Sequence, residues 1–236
     1  MTEHPAPEPK DRLAAMCVHA LTASGAVCAL LAVRCTIANQ TELAFAWLGL
    51  ALIIDGIDGT FARHFQVKTL LPHVSGEVLD LCVDYVTYVF VPTFMLLQSG
   101  KLDGTSGLGL GLAALICITA LYHFADTSSK TNDHYFVGFP AIWNIVAFYV
   151  FALDLPGWAT ATLILVCAAL TFVRWRWVHP MRVTALRTPT VIASIVWGAA
   201  AIAVLWGGFP AHGLAYGLIV LVAIYGIALS LYFGRA

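Results

Sequence analysis

Four aspartates occur in two closely spaced pairs, and this arrangement is suited to binding metal ions. Asp55 and Asp58 are three residues apart, whereas Asp80 and Asp84 are four residues apart. On a helix, each of these spacings places both side chains of a pair on one face. Four carboxylates that converge cannot all remain ionised without cations. Since oxygen ligands favour hard ions, the pattern predicts Mg²⁺ or Mn²⁺, and two such ions would balance the four charges.

The composition of the chain makes these acids unusual. Of the 236 residues, 60% are hydrophobic and 11% are charged, and the mean hydropathy is +0.85. Soluble domains are about 45–50% apolar and about 25% charged, so we interpret the chain as a polytopic membrane protein rather than a soluble, disulfide-rich or disordered one. The net charge of −1 argues against a nucleic-acid partner. Acidic residues within membrane spans are costly and indicate function.

The hydrophobic segments predict an all-α membrane bundle of about eight transmembrane helices, since each span needs about 20 apolar residues. Residues 1–12 are polar and contain three prolines, so we expect a poorly ordered tail followed by a single membrane domain, residues 13–236. Spans five and six are short, and the break between them, residues 154–157, indicates either a turn or a kinked re-entrant segment. The predicted spans are 14–36, 41–62, 77–98, 107–125, 138–153, 157–173, 189–206 and 211–233.

The order of the spans places both aspartate pairs at the same membrane depth. The second and third spans are antiparallel neighbours joined by the polar stretch 63–76, so the end of one lies beside the start of the other. If the N-terminus is cytoplasmic, ten lysines and arginines fall on the cytoplasmic side and two on the opposite side. This asymmetry predicts that both termini and the aspartates are cytoplasmic.

Residues 55–84 form one extended motif, Asp55-x2-Asp58-Gly59-x2-Ala62-Arg63-x12-Gly76-x3-Asp80-x3-Asp84. This motif resembles the signature of the CDP-alcohol phosphotransferase family, integral membrane enzymes of phospholipid synthesis. The twelve-residue gap after the arginine and the run 135–144 resemble the bacterial branch of that family that uses choline. The resemblance implies a six-helix catalytic core and transfer of a phosphatidyl group from CDP-diacylglycerol to choline, with release of CMP.

The resemblance also implies a role for each residue of the motif. Asp55, Asp58 and Asp80 would be metal ligands, while Asp84 would be the base that deprotonates the acceptor hydroxyl and would also contact a metal. The contacts with CDP-diacylglycerol would fall on Gly59, Ala62, Arg63 and Gly76. The family further implies a location in a bacterial inner membrane, and it makes a homodimer an expectation.

Choline has no N–H group to donate, and quaternary ammonium groups are bound by aromatic faces. Glu77, beside the motif, is an acid suited to a cationic acceptor; alternatively it is a solvated residue whose charge suits the start of a helix. Each aromatic candidate has packing as its alternative interpretation. The candidate choline contacts are Glu77, Tyr85, Tyr122, Trp143 and Asn144.

Two other functions remain open from the sequence. A phosphatidylserine synthase-like enzyme would use the same carboxylates, and the sequence does not exclude serine as the acceptor. A divalent-cation or proton transporter would also place acids in spans. Transporters of this kind often bind their cargo near the midplane of internal repeats, whereas here the acids lie at the ends of two spans and no repeat is visible.

Overall fold

The computed structural model describes residues 9–102, 107–126, 136–177 and 186–233, and helices dominate these residues. The all-α class is confirmed. The first helix begins at Pro9, so residues 9–12 are helical, and the rest of the predicted tail lies outside the described residues. The helices are α1 (Pro9–Ile37), α2 (Thr41–His64), α3 (Val67–Leu70), α4 (Gly76–Asp84), a π-helical turn (Tyr85–Phe90), α5 (Val91–Gln98), α6 (Gly107–Ala125), α7 (Trp143–Ala152), α8 (Gly157–Thr171), α9 (Arg187–Gly207) and α10 (Gly213–Phe233).

Six of the described helices are long and apolar enough to cross a membrane. They are α1, α2, the continuous helix Gly76–Gln98, α6, α9 and α10. The polytopic helical bundle is therefore confirmed, and the chain is an integral membrane protein. The fifth and sixth predicted spans correspond to α7 and α8, of 10 and 15 residues. These helices are about 15 Å and about 22 Å long, less than the ~30 Å hydrocarbon core.

Contacts at the α7–α8 break show where the two short helices turn. Asp154 has a left-handed backbone, with φ of 47°, and α8 begins after Pro156. The Lys101 ammonium, just beyond α5, lies 2.6 Å from the Asp154 carboxylate. The backbone N–H of Ala211, which precedes α10, donates to the carbonyl of Ala152 at 2.8 Å. The break is a turn, and it lies at the same end of the bundle as the end of α5 and the start of α10.

The opposite end of α7 differs from the prediction. A helix was predicted from residue 138, but α7 begins at Trp143, so the prediction is wrong over residues 138–142. Strand β1 (Phe136–Val137) instead pairs antiparallel with β2 (Arg176–Trp177). Gly138 continues this pairing by donating its N–H to the carbonyl of Trp175 at 2.9 Å. Its φ is +84°, and a Cβ there would clash with the carbonyl oxygen of Thr171, so the turn requires glycine.

The main apolar core lies at the end of the bundle where α2 begins. Phe45 of α2 makes edge-to-face ring contacts with Phe148, Phe151 and Phe209, with centroids 5.4–5.7 Å apart. The Glu42 carboxylate, one turn earlier, accepts a hydrogen bond from the backbone N–H of Phe209 at 3.1 Å. This end of α2 is thereby fixed against α7 and the α9–α10 connection, and the rest of α2 extends from it toward the aspartates.

Candidate active site

The candidate site lies where the end of α2 meets the start of the third long helix. Between them the chain leaves α2 after His64, forms the short α3 and enters α4 at Gly76. Ser75 caps α4 by accepting a hydrogen bond from the backbone N–H of Val78 at 3.3 Å, which satisfies one of the free donors at a helix start. This cap fixes where α4 begins, one turn before Asp80, and the four-residue spacing of Asp80 and Asp84 places both on one face of the helix.

Three of the four predicted metal ligands converge. Asp55 of α2 and Asp80 and Asp84 of α4 each offer a carboxylate oxygen, and these oxygens lie within 4.8 Å of one another. All three residues are half-buried. Such crowding of acidic groups is unfavourable unless protons or cations compensate the charge.

Asp58 lies beside this group with a different environment. It is 6% exposed, and its Oδ2 accepts a hydrogen bond from the hydroxyl of Thr22 in α1 at 2.6 Å. It lines the same small cavity as the other three aspartates. Residues of α1, α2, α4 and the π-helical turn form this cavity: Thr22, Ala51, Ile54, Asp55, Asp58, Asp80, Val83, Asp84 and Thr87.

Tyr88 reaches the same carboxylates from the π-helical turn. Its hydroxyl donates to Oδ2 of Asp55 at 2.5 Å. Sequence reasoning considered Tyr88 only among the aromatic residues that could face choline, and it did not connect Tyr88 or Thr22 with the aspartates. A usable signal exists for Tyr88, which follows Asp84 by four residues, whereas Thr22 lies 36 residues from Asp58 on a different helix, and no spacing rule connects them.

The sequence comparisons agree with this geometry. The sequence pattern of CDP-alcohol phosphatidyltransferases matches residues 16–175. This range contains α2, α4 and all four aspartates. The chain belongs to the CDP-alcohol phosphatidyltransferase family.

Individual relatives are similar over most of the chain. A phosphatidylcholine synthase of Pseudomonas aeruginosa is 42% identical over 189 residues, which cover 80% of this chain and 79% of the relative. A phosphatidylcholine synthase of Bradyrhizobium diazoefficiens is 45% identical, covering 81% of this chain and 71% of the relative. One of Rhizobium johnstonii is 37% identical over 217 residues, covering 92% and 89%.

The donor set of this CDP-alcohol phosphatidyltransferase fits a divalent cation. Enzymes of the family generally depend on divalent metals, and the cluster of Asp55, Asp80 and Asp84 could hold one. The cluster offers only carboxylate oxygens, which suit hard ions such as Mg²⁺ and Mn²⁺. A cation bound there would also relieve the repulsion between the three acidic groups.

The basic residue of the family motif lies outside the cavity. Arg63 is exposed, and its Nη2 donates to the hydroxyl of Thr60 one turn earlier at 3.2 Å. A Cβ added to Gly59 would lie 3.5 Å from Nη1 of the same arginine. The guanidinium therefore runs back along α2 over Gly59.

The other two motif positions are held by α1 and α3. Ala62 is half-buried and packs on the cluster formed by Ala15, Val18 and Val67. Gly76 is exposed, but a Cβ there would lie 3.2 Å from Cε1 of His19. The glycine at 76 therefore allows the His19 ring of α1 to approach the start of α4.

Two of the candidate choline residues lie on the helix that carries Asp80 and Asp84. The Glu77 carboxylate lies 3.7 Å from the Lys68 ammonium, and both side chains are highly exposed. The Tyr85 hydroxyl donates to the carbonyl of Cys117 in α6 at 3.3 Å. Neither side chain lines the described cavity. Both therefore lie on the same helix as Asp80 and Asp84 but outside the cavity that the aspartates line.

The other three candidates lie farther along the chain. Tyr122 is 58% exposed and contacts the ring of Phe172, with centroids 5.2 Å apart. Trp143 and Asn144 are buried at the start of α7, at 1% and 5% exposure, and Trp143 packs edge-to-face on Phe139. Within the described residues, the structure does not bring these three together with the aspartates.

Proposed function

We propose that this chain transfers a phosphatidyl group from CDP-diacylglycerol to choline and releases CMP. The observation that carries the proposal is the meeting of Asp55, Asp80 and Asp84 within 4.8 Å, in a member of a family of phosphatidyltransferases. The similarity to several phosphatidylcholine synthases supports choline as the acceptor.

The aspartates would hold the metal. Asp55, Asp80 and Asp84 would bind Mg²⁺ or Mn²⁺ together, and Asp58, which lines the same cavity, would complete the site for a second ion. When bound, the divalent ions would neutralise the diphosphate and stabilise the leaving CMP. The position of the carboxylates at the end of α2 and the start of α4 suits a substrate whose tails stay in the bilayer while its nucleotide stays at the surface.

Asp84 would be the catalytic base. The choline hydroxyl is a very weak acid, so transfer needs a positioned group to accept its proton. As the proton moves to the Asp84 carboxylate, the choline oxygen forms a bond to the phosphorus of the phosphatidyl group. The bond from that phosphorus to the oxygen of CMP breaks, and CMP leaves with the electron pair. Asp84 then returns its proton to solvent.

The remaining motif residues would bind the substrates. Gly59, Ala62, Arg63 and Gly76 would contact the CDP group, and the exposed guanidinium of Arg63 can form charge-assisted hydrogen bonds to a phosphate. Among the candidate choline contacts, Glu77 and Tyr85 are favoured because they lie on the same helix as Asp84.

The orientation follows from the distribution of basic residues. We propose that the aspartates and both termini face the cytoplasm, on the side with ten of the twelve lysines and arginines. The bacterial sources of the relatives support an inner-membrane location. The homodimer implied by the family resemblance remains a prediction, and crosslinking in native membranes would test it.

One experiment tests the activity and the acceptor together. The purified protein in detergent receives CDP-diacylglycerol and Mn²⁺ or Mg²⁺, with choline, serine or glycerol 3-phosphate supplied in turn, and CMP release is measured. We expect release with choline and none after chelation of the metal. Release with serine alone would replace choline by serine as the acceptor, and no release with any acceptor would contradict the proposed activity.

A further inference from the structure

Both aspartates of α2 accept a hydroxyl hydrogen bond from a neighbouring helix. Tyr88 donates to Oδ2 of Asp55 at 2.5 Å, and Thr22 donates to Oδ2 of Asp58 at 2.6 Å. Neither donor belongs to the motif that runs from Asp55 to Asp84. In each pair Oδ2 accepts the hydrogen bond from the hydroxyl, so this bond does not use the other carboxylate oxygen, Oδ1.

The π-helical turn places Tyr88. In an α-helix, each step of four residues advances the side chain around the axis by about 40° beyond a full turn, so Asp80, Asp84 and Tyr88 would drift around the helix. A π-helical turn takes more residues, and such turns are frequent at functional sites. The turn Tyr85–Phe90 begins directly after Asp84, and it returns Tyr88 toward the face that carries the two aspartates.

A close approach of α1 places Thr22. One turn beyond Thr22, a Cβ added to Gly25 would lie only 2.6 Å from Cγ1 of Val83. Glycine at this position therefore lets α1 lie against the third helix at the level of Asp84. Thr22 is 7% exposed, and at 2.6 Å its hydroxyl is much closer to Asp58 than to the carbonyl of Val18, at 3.4 Å.

We propose that Thr22 and Tyr88 are positioning residues that fix the carboxylates of Asp58 and Asp55 for metal binding. A hydroxyl donor favours the ionised form of a carboxylate and restricts its rotation. Hydrogen bonds of this kind orient metal ligands, and their loss typically lowers metal affinity by about 10–100-fold. The inference rests on the proposed function only in taking these aspartates as metal ligands.

Direct titration of Mn²⁺ tests the proposal without turnover. Electron paramagnetic resonance measures free Mn²⁺ in the presence of purified protein in detergent, with no substrate added. We expect Tyr88→Phe and Thr22→Val each to weaken Mn²⁺ binding by about ten-fold or more. Each variant keeps the size of the side chain and removes the hydroxyl, so the packing changes little.

Matched controls lose a hydroxyl elsewhere. Thr36 is a buried threonine of α1 whose hydroxyl donates to the carbonyl of Ala32 in its own helix, and Tyr149 donates to the carbonyl of Ile219. We expect Thr36→Val and Tyr149→Phe to bind Mn²⁺ like the wild type. The conservative variant Thr22→Ser restores a hydroxyl and should recover most of the affinity lost in Thr22→Val, which a purely structural role of the methyl group would not produce.

The outcomes separate this inference from the proposed activity. Unchanged Mn²⁺ affinity in both Tyr88→Phe and Thr22→Val would overturn it, as would equal losses in the two controls. A wild-type protein that binds no Mn²⁺ would overturn it as well, since there would be no bound ion to position. If the wild type binds Mn²⁺ and the variants bind it weakly, but no CMP is released with any acceptor, the positioning role stands and the proposed transfer fails.

Discussion

The two halves of α2 are held in different ways. The first half is fixed by apolar packing, with Phe45 in ring contact with Phe148, Phe151 and Phe209. Phe45 is 5% exposed, and its neighbours come from α7 and from the segment before α10. Such contacts depend on complementary shape, because their energy comes from close packing and a gap between the rings removes the attraction between the atoms that line it.

The second half of α2 combines apolar packing, such as that of Ala62 against α1 and α3, with hydrogen bonds to its aspartates. Asp55 and Asp58 are fixed by hydroxyls of the third helix and of α1, and a cavity remains between these helices. Ten residues, or about 15 Å along the helix, separate Phe45 from Asp55. One helix therefore joins a closely packed apolar end to a polar site. Substitutions in the apolar half should mainly lower stability, whereas substitutions in the polar half should mainly lower activity.

The largest effect is expected for Asp84→Asn. The variant keeps the shape of the side chain but removes the group proposed to accept the choline proton, so turnover should fall by about 1,000-fold or more. CMP release measures the loss. Metal-dependent binding of CDP-diacylglycerol should be largely retained, because Asp55, Asp58 and Asp80 are unchanged and an amide oxygen at position 84 can still ligate a hard cation.

The alternative role of Asp84 gives a different pattern. If Asp84 serves mainly as a metal ligand, Asp84→Asn loses the metal-dependent binding of CDP-diacylglycerol together with turnover. If turnover stays within about ten-fold of the wild type, the catalytic assignment is wrong.

A smaller effect is expected for Gly25→Ala. The new methyl group would lie 2.6 Å from Cγ1 of Val83, so α1 must move away from the third helix and Thr22 must move away from Asp58. We expect turnover to fall by about ten-fold, in line with the usual effect of misplacing a supporting side chain, with a lower apparent Mn²⁺ affinity.

Two further variants separate this steric effect from a general effect of alanine. Gly49 lies on α2 with open space where its Cβ would be, and Gly49→Ala should behave like the wild type. The double variant Gly25→Ala/Val83→Ala removes the clashing methyl groups and should regain part of the activity. A Gly25→Ala enzyme with wild-type Mn²⁺ affinity would show that the close approach of α1 does not support the site.

The polar half of α2 could be predicted from the sequence in large part. The spacings within the pairs Asp55/Asp58 and Asp80/Asp84 indicate shared helix faces, and the polar connection between two spans brings the pairs to one depth. Local helix geometry is enough to predict that the two members of a pair share a face. The antiparallel order of adjacent helices is enough to predict that the two pairs meet. The structure brings together Asp55, Asp80 and Asp84 in agreement with this reasoning.

The supporting contacts could not be predicted in the same way. The position of Thr22 depends on the packing of α1, which is set by tertiary contacts rather than by spacing. Tyr88 has a signal in its spacing of four residues from Asp84, but no residue pattern in 85–90 predicts the π-helical turn that orients it. The helix predicted over 138–142 was wrong for a similar reason, since hydropathy does not reveal that Gly138 pairs its backbone with the segment after α8.

A modest effect is expected for Glu77→Gln at the edge of the polar half. If the Glu77 carboxylate contacts the choline cation, its loss should raise the KM for choline several-fold while kcat changes little, because the charge acts on binding. Lys68→Gln is the control, since it removes the exposed partner of Glu77 and an exposed ion pair contributes little. Equal KM values in Glu77→Gln and wild type would leave Glu77 as a solvated residue at the start of α4.

The smallest effect on turnover is expected for Phe45→Ala, in the apolar half. Removing the ring leaves a cavity among Phe148, Phe151 and Phe209, and Phe→Ala changes in cores cost about 3–5 kcal/mol. The melting temperature in detergent should therefore fall clearly. Kinetics below the new melting temperature should give a kcat per folded molecule and a Mn²⁺ affinity within about two-fold of the wild type, because hydroxyls of other helices still hold the aspartates. If Mn²⁺ affinity falls in parallel with stability, the two halves of α2 are coupled, and the aromatic contacts themselves set the position of Asp55 and Asp58.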